Sequence, residues 1–324
     1  MEENVKLKKN YLLISTYILS FVRFFLFTFL LILLSITVIN KKTQVYADDG
    51  TASLEEMSTL KKSIVVFIFA VIIISYAIIS INSVLNFIYN KNDTKTNLVA
   101  SLIALNIELI IYYLRFLRFN KYEFKKPNIT IMDMLSMSIL LALFFIVDFL
   151  TTGLIPPFPF FITISVKYIV LFFGCYIFNF TKSFILCILC SFVTLLNPGT
   201  YVLSFVQFLF DYWLPTTLIS LACFFKPSDK IENKFTRSLS WFNFVTVPMI
   251  IFYFCRSISG ILFWLNPNAL SADEISYEFE FNNAVAYSFI YNSFSTVFDF
   301  VTLIILVPTI CTSLDFIKKR YFYK

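Results

Sequence analysis

Apolar runs of 18 or more residues recur along this chain, and no other feature narrows its possible folds as far. A run of that length carries one helix across the hydrocarbon core of a bilayer. In lipid every backbone N–H and C=O must find a partner within the protein, so only helices and closed barrels can span. Barrel strands are short and alternate apolar with polar residues, whereas these runs are long and unbroken. The chain is therefore read as all-α, a polytopic membrane helix bundle. Composition agrees, since 59% of its 324 residues are hydrophobic and 14% are charged, against about a quarter charged in soluble domains. The mean hydropathy is +0.80.

The first run covers residues 11–39 and follows a leader carrying Lys6, Lys8 and Lys9. Val45-Tyr46-Ala47 resembles a signal-peptide cleavage site. The run before it is longer than the apolar region of a signal peptide, and Lys41 and Lys42 intervene, so an uncleaved helix is expected. A polar stretch at 40–62 leads to a second run at 63–89 and a shorter third at 98–114. A basic connector at 115–126 ends at Pro127. Beyond it lie six more runs, at about 131–152, 160–180, 183–196, 203–225, 241–265 and 284–312. The expected organisation is an N-terminal membrane module at 1–127, of two or three extra transmembrane helices, before a six-helix core at 128–324.

Charge orients the six-helix core. Arg115, Arg118, Lys121, Lys125 and Lys126 precede it, and Lys182 occupies its next turn on the same side. Lys226, Lys230, Lys234 and Arg237 lie in the third, and Lys318, Lys319, Arg320 and Lys324 form the tail. The opposite-side stretch 266–283 has Asp273, Glu274, Glu278 and Glu280 and no basic residue. Short-loop Lys/Arg bias places both ends of the core in the cytoplasm. The net charge of +6 is accounted for in this way, not by nucleic-acid binding. The first module fits less well. Three spans before the connector put the lysine-bearing leader outside, so either the leader is an exception or one segment does not span, with 98–114 the first suspect.

Several reaction classes lack their residues. There is no histidine, which removes the commonest general base and metal ligand. Five glycines cannot build a phosphate loop, and no Walker, nucleophile-elbow or zinc spacing occurs. All six cysteines lie in apolar runs, and Cys187-x-x-Cys190 is read as buried packing. No cofactor or metal is expected.

Polar residues inside the spans are the candidates for function, since an aspartate at a helix centre costs about 2.5–3.5 kcal/mol to insert. Gln207 and Asp211 are four apart and share a helical face, with Tyr212 beside them. Arg256 lies near mid-helix, followed by the small residues Ser257, Ser259 and Gly260, with Trp264 near the outer end. Tyr287 and Tyr291 are four apart, and Asn292 follows them. Asp148 is placed near an outer helix end, an interfacial position. Asp299 lies deeper, and Glu108 is unassigned. Ser138-x-x-x-Ala142 makes a small-residue face suited to close helix approach. Read from residue types alone, each polar group also fits a hydrogen bond that joins two helices.

Three of these segments in order, Gln207-x-x-x-Asp211-Tyr212, Ile258–Trp264 and Tyr287–Asn292, together resemble one family. It is that of the thiamine-specific substrate-binding (S) components, ThiT/YuaJ type, of energy-coupling factor (ECF) vitamin transporters. The resemblance covers roughly 130–315 and leaves residues 1–127 unaccounted for. It implies a multi-pass protein of the cell membrane that binds thiamine or a derivative near its outer face, without catalysis. It further implies docking on an ECF transmembrane coupling subunit driven by two ATPase subunits. On that pattern the pocket includes Asp211, Tyr212, Trp264, Tyr287 and Asn292, with Gln207 and Arg256 beside them, and Ser138 and Ala142 meet the coupling subunit. The chemistry is compatible, because a buried carboxylate and aromatic faces suit a fixed thiazolium cation. Two departures bear on the ligand. Arg256 stands where family members can carry histidine, and phenylalanines near Phe158–Phe161 and Cys190 or a neighbour stand where they carry tryptophans. Arg256 either pairs with Asp211 or meets an anionic ligand, which keeps a phosphorylated thiamine or another vitamin open. A membrane enzyme using Asp211 and Asp299 as a carboxylate pair, and a structural membrane subunit, are the alternatives of other classes.

Overall fold

The computed structural model describes residues 2–40, 43–46, 52–55, 57–89, 94–119, 129–154, 165–200, 202, 204–227, 234–264, 281–318 and 320. The chain divides into two compact units, Met1–Tyr122 and Glu123–Lys324.

In the first unit, α1 (Glu2–Ile39) and α2 (Thr59–Tyr89) contain apolar stretches long enough to cross a membrane, Ile14–Ile39 and Lys61–Leu85. The polar stretch between them adds a small exception to the all-α reading. There β1 (Thr43–Tyr46) and β2 (Ala52–Glu55) pair antiparallel, with Thr43 opposite Glu55 and Tyr46 opposite Ala52. The 98–114 run is not one span. It divides into α3 (Thr94–Ile103) and α4 (Ile107–Phe119) at a tight turn. Leu105 takes the left-handed conformation, φ 54°, and Asn106 N–H reaches back 2.9 Å to the Ser101 carbonyl. Those two features close a helix by the Schellman pattern, here with leucine at the position glycine usually fills. Asn106 Nδ2 then donates to Ser83 Oγ at 2.6 Å, which holds the turn against α2. Two spans in place of three would put both ends of this unit on one side of the membrane, the arrangement that the leader lysines favour.

The second unit contains the six helical stretches that the apolar runs predict. Four are long enough to span, Ile131–Thr152, Phe205–Phe225, Arg237–Leu262 and Ala284–Ser313. The two between are shorter. α6 is Tyr168–Ile177, in the described part of the 160–180 run, and α7 is Phe180–Val193. α5 (Ile131–Leu154) opens with a capping box in which Thr130 N–H and Oγ1 donate to Asp133 Oδ2 at 2.8 and 2.7 Å. Lys182 Nζ closes on the same carboxylate oxygen at 2.7 Å, so the first basic turn of the core is tied to the start of α5. Met137, Leu140 and Phe144 recur at helical spacing and point inward. They join Leu171, Phe172, Leu186, Ile219, Phe244, Phe252 and Leu303 in one core. α10 (Lys234–Trp264) and α11 (Phe281–Ser313) lie antiparallel along this core.

The 203–225 run departs most from a regular helix. It comprises α8 (Phe205–Phe208), a π turn (Leu209–Trp213), α9 (Leu214–Leu218) and a 3-10 segment (Ile219–Phe225). Pro215 supplies the cause. It has no N–H to return to the preceding turn, so the chain before it cannot complete an α ladder. Leu214 N–H bonds instead to Leu209, five residues back. Such one-turn widenings concentrate at functional positions.

Candidate functional site

Asp211 sits inside that π turn. Gln207 is 5% exposed, its N–H held by the α8 cap Ser204 Oγ and its carbonyl 3.5 Å from Ser259 Oγ. Asp211 is half-buried and receives Arg256 Nε on its Oδ1 at 3.2 Å. The sequence reading left Arg256 with two possible partners, and the carboxylate of the protein is the one it has. Its guanidinium also lies over the Phe252 ring, 5.5 Å from the centroid. Tyr212 stacks on Phe208 at 6.3 Å.

The neighbouring helices bring in further groups. Tyr287 and Tyr291 stack at 6.1 Å on the first turns of α11, and the charges acting on Tyr291 include Arg256 and Asp211. Tyr168 at the start of α6 packs edge-on against Phe252 at 5.1 Å. The charges that act on it are those of Arg256, Asp299, Asp148 and Asp211. Asn292 joins α10 and α11. It is 5% exposed, and its Nδ2 reaches the Ser288 carbonyl at 2.9 Å and the Arg256 carbonyl at 3.3 Å. Ser288 Oγ donates to the Ser257 carbonyl at 2.7 Å. A Cβ on Gly260 would overlap Ser288 Oγ and lie 3.0 Å from Asn292 Nδ2, which is why the small residue is needed there. These contacts lock α10 to α11. Trp264 ends α10, and its side chain is outside the described residues, as are the phenylalanines at 158–161.

Two further acidic residues are buried. Asp148 is 4% exposed, and Lys167 Nζ pairs with its Oδ1 at 2.8 Å. Lys167 escaped the sequence reading, although a lone lysine within the 160–180 run was a signal of the same kind as Asp211. Asp299 is 1% exposed and accepts the Ser165 N–H on Oδ1 at 2.7 Å. Ser138 and Ala142 belong elsewhere. Both are exposed on the outward side of α5, away from Met137, Leu140 and Phe144. Among the described residues no group of three His, Cys, Asp or Glu is arranged to hold a metal ion.

A family model described as thiamine transporter protein (Thia_YuaJ) matches residues 134–319, more than half of the chain. The chain belongs to this family. As a Thia_YuaJ member it is a multi-pass membrane protein, and the matched span takes in every helix of the six-helix core. The solved structure of ThiT from Listeria monocytogenes is 17% identical, with a TM-score of 0.45, over 58% of this chain and 97% of that one. No curated protein matches the chain.

Proposed function

We propose that this chain is the thiamine-binding S component of an ECF transporter, a subunit that carries its ligand without transforming it. One observation carries the reading within the family: Asp211 is a half-buried carboxylate in a membrane helix, and among the described residues a single guanidinium contact holds it. Such a group leaves an acceptor for a cation that arrives from outside. Tyr212, Tyr287 and Tyr291 supply aromatic faces nearby, each worth about 0.5–2 kcal/mol toward a cation. The site comprises Asp211, Tyr212, Tyr287, Arg256, Gln207, Asn292 and Trp264. Asn292 and Gln207 serve it by fixing the helices that carry the others. The Arg256–Asp211 pair favours thiamine over its phosphates, because the guanidinium already has its anion.

The partners follow from the same reading. The ligand is thiamine, and the transmembrane coupling subunit with its two ATPases supplies the energy. The exposed small residues Ser138 and Ala142 support α5 as the docking face, since two backbones can approach closely there. Competition binding on detergent-solubilised protein and its Arg256→His variant tests the ligand. Thiamine is expected to bind, and its mono- and diphosphate to compete no better on the wild type than on the variant. A phosphate preference confined to the wild type would displace thiamine as the ligand.

A further inference from the structure

Arg256 and Asp299 are each incompletely used. Among the described residues Arg256 makes one side-chain hydrogen bond, through Nε, and its two terminal nitrogens make none. Asp299 Oδ2 is buried with no hydrogen-bond partner, although its other oxygen is held by Ser165. An orphan carboxylate oxygen inside a membrane protein is costly and calls for an explanation.

Arg256 and Asp299 act on one another electrostatically, and helix geometry brings their levels close. α10 and α11 run antiparallel, with Gly260 against Ser288 and Tyr253 against Ser293. Two turns on from Gly260–Ser288 the level of Phe252 meets that of Thr296, and Asp299 lies three residues, about 4.5 Å, further along α11. Helical side chains lean toward the N-terminus of their own helix, and Arg256 does so, lying over Phe252. Its guanidinium therefore inclines toward the level of Asp299. Lys167, the other cation acting on Asp299, is already bonded to Asp148 at 2.8 Å and acts less strongly than Arg256. Asp148, Asp211 and Asp299 against Lys167 and Arg256 leave this cluster one negative charge when all are ionised, and a thiazolium would neutralise it.

We propose that Arg256 is shared between two carboxylates and passes from Asp211 to the free oxygen of Asp299 when a cationic ligand binds. Asp299 is then a positioning residue. It takes over the arginine that the ligand displaces, so that the incoming cation and Arg256 never face Asp211 together. This rests on the reading of the site as one for thiamine. It explains how an arginine is tolerated in a pocket for a cation, and it uses a buried carboxylate oxygen that has no hydrogen-bond partner among the described residues, as Asp148 Oδ2 also has none.

The test is a double-mutant cycle by calorimetric titration of the full-length detergent-solubilised protein with thiamine, with thermal unfolding measured alongside. Asp299→Asn keeps an acceptor for Ser165 and removes the charge. It is expected to weaken thiamine binding tenfold or more, because Arg256 then stays on Asp211. In an Arg256→Gln background the same change is expected to cost less than threefold. Arg256→Gln alone is expected to tighten binding threefold or more by freeing Asp211, a result that needs no Asp299 variant to fold. Weaker binding by Arg256→Gln overturns the proposal. So does an Asp299→Asn protein that binds as the wild type, or one whose loss is equal in both backgrounds. A wild-type protein that binds no thiamine overturns the reading of the site itself, and this inference with it.

Discussion

Asp211 shows what a single residue contributes and what its neighbours decide. Substituting Asp211→Asn is expected to weaken thiamine binding ten- to a hundredfold, from a lost charge-assisted contact of about 1.5–3 kcal/mol. Folding should suffer less, because Arg256 retains Asp299 as a charge neighbour. Titration calorimetry and thermal unfolding on the same preparation separate the two effects. Unchanged affinity in a folded Asn variant would take Asp211 out of the pocket. The importance of such residues was legible because a polar side chain in an apolar run is expensive. Their partners were not. The pairing of Asp148 with Lys167 depends on where the chain re-enters to begin α6, and hydropathy blurs that point within the 160–180 run. Asn292 was rightly marked as needing partners, yet its amide meets the backbone of α10, which side-chain types cannot announce.

At the scale of elements, α5 has one committed face and one open face. Met137, Leu140, Phe144 and Asp148 are buried, while Leu135, Ser138, Ile139, Ala142 and Ile146 are exposed. Ser138→Trp or Ala142→Trp is therefore expected to leave thiamine binding unchanged and to abolish uptake by the complete transporter. Paired measurements on the isolated subunit and on the assembled complex check this. Loss of binding together with uptake would make the face internal packing. The helices themselves were readable from apolar run lengths, and their breaks were less so. Pro215 breaks the ladder, but the choice between a kink and a π turn belongs to packing. The 98–114 run hid a turn because apolar residues flank it on both sides. Ser101, Asn106 and Glu108 are polar residues of that run, yet none announces a turn, and the hydrogen bond of Asn106 to Ser83 depends on another helix.

For the whole molecule, charge sets the orientation. An acidic stretch at 266–283 and a basic tail predict that Ser271→Cys reacts with an impermeant maleimide on intact cells. Tyr323→Cys is expected to react only after permeabilisation, and the reverse pattern would invert the topology. The first unit adds a consequence of another kind. Arg23 in α1 bonds Glu108 in α4 at 3.0 Å, and Ser20 Oγ reaches the same carboxylate oxygen at 2.7 Å. Tyr76 and Ser80 of α2 complete the guanidinium's contacts. Arg23 and Glu108 are 85 residues apart in the chain. At ordinary synthesis rates a ribosome needs roughly 4–17 s to make that length. During that interval α1 is in or near the translocon with a charge whose counter-ion does not yet exist. Its tyrosine and serine partners arrive earlier and give the arginine neutral acceptors to wait on. The order of synthesis thus makes Glu108 the last of these partners of Arg23 to be made, and the charge pair that joins α1 to α4 completes this unit.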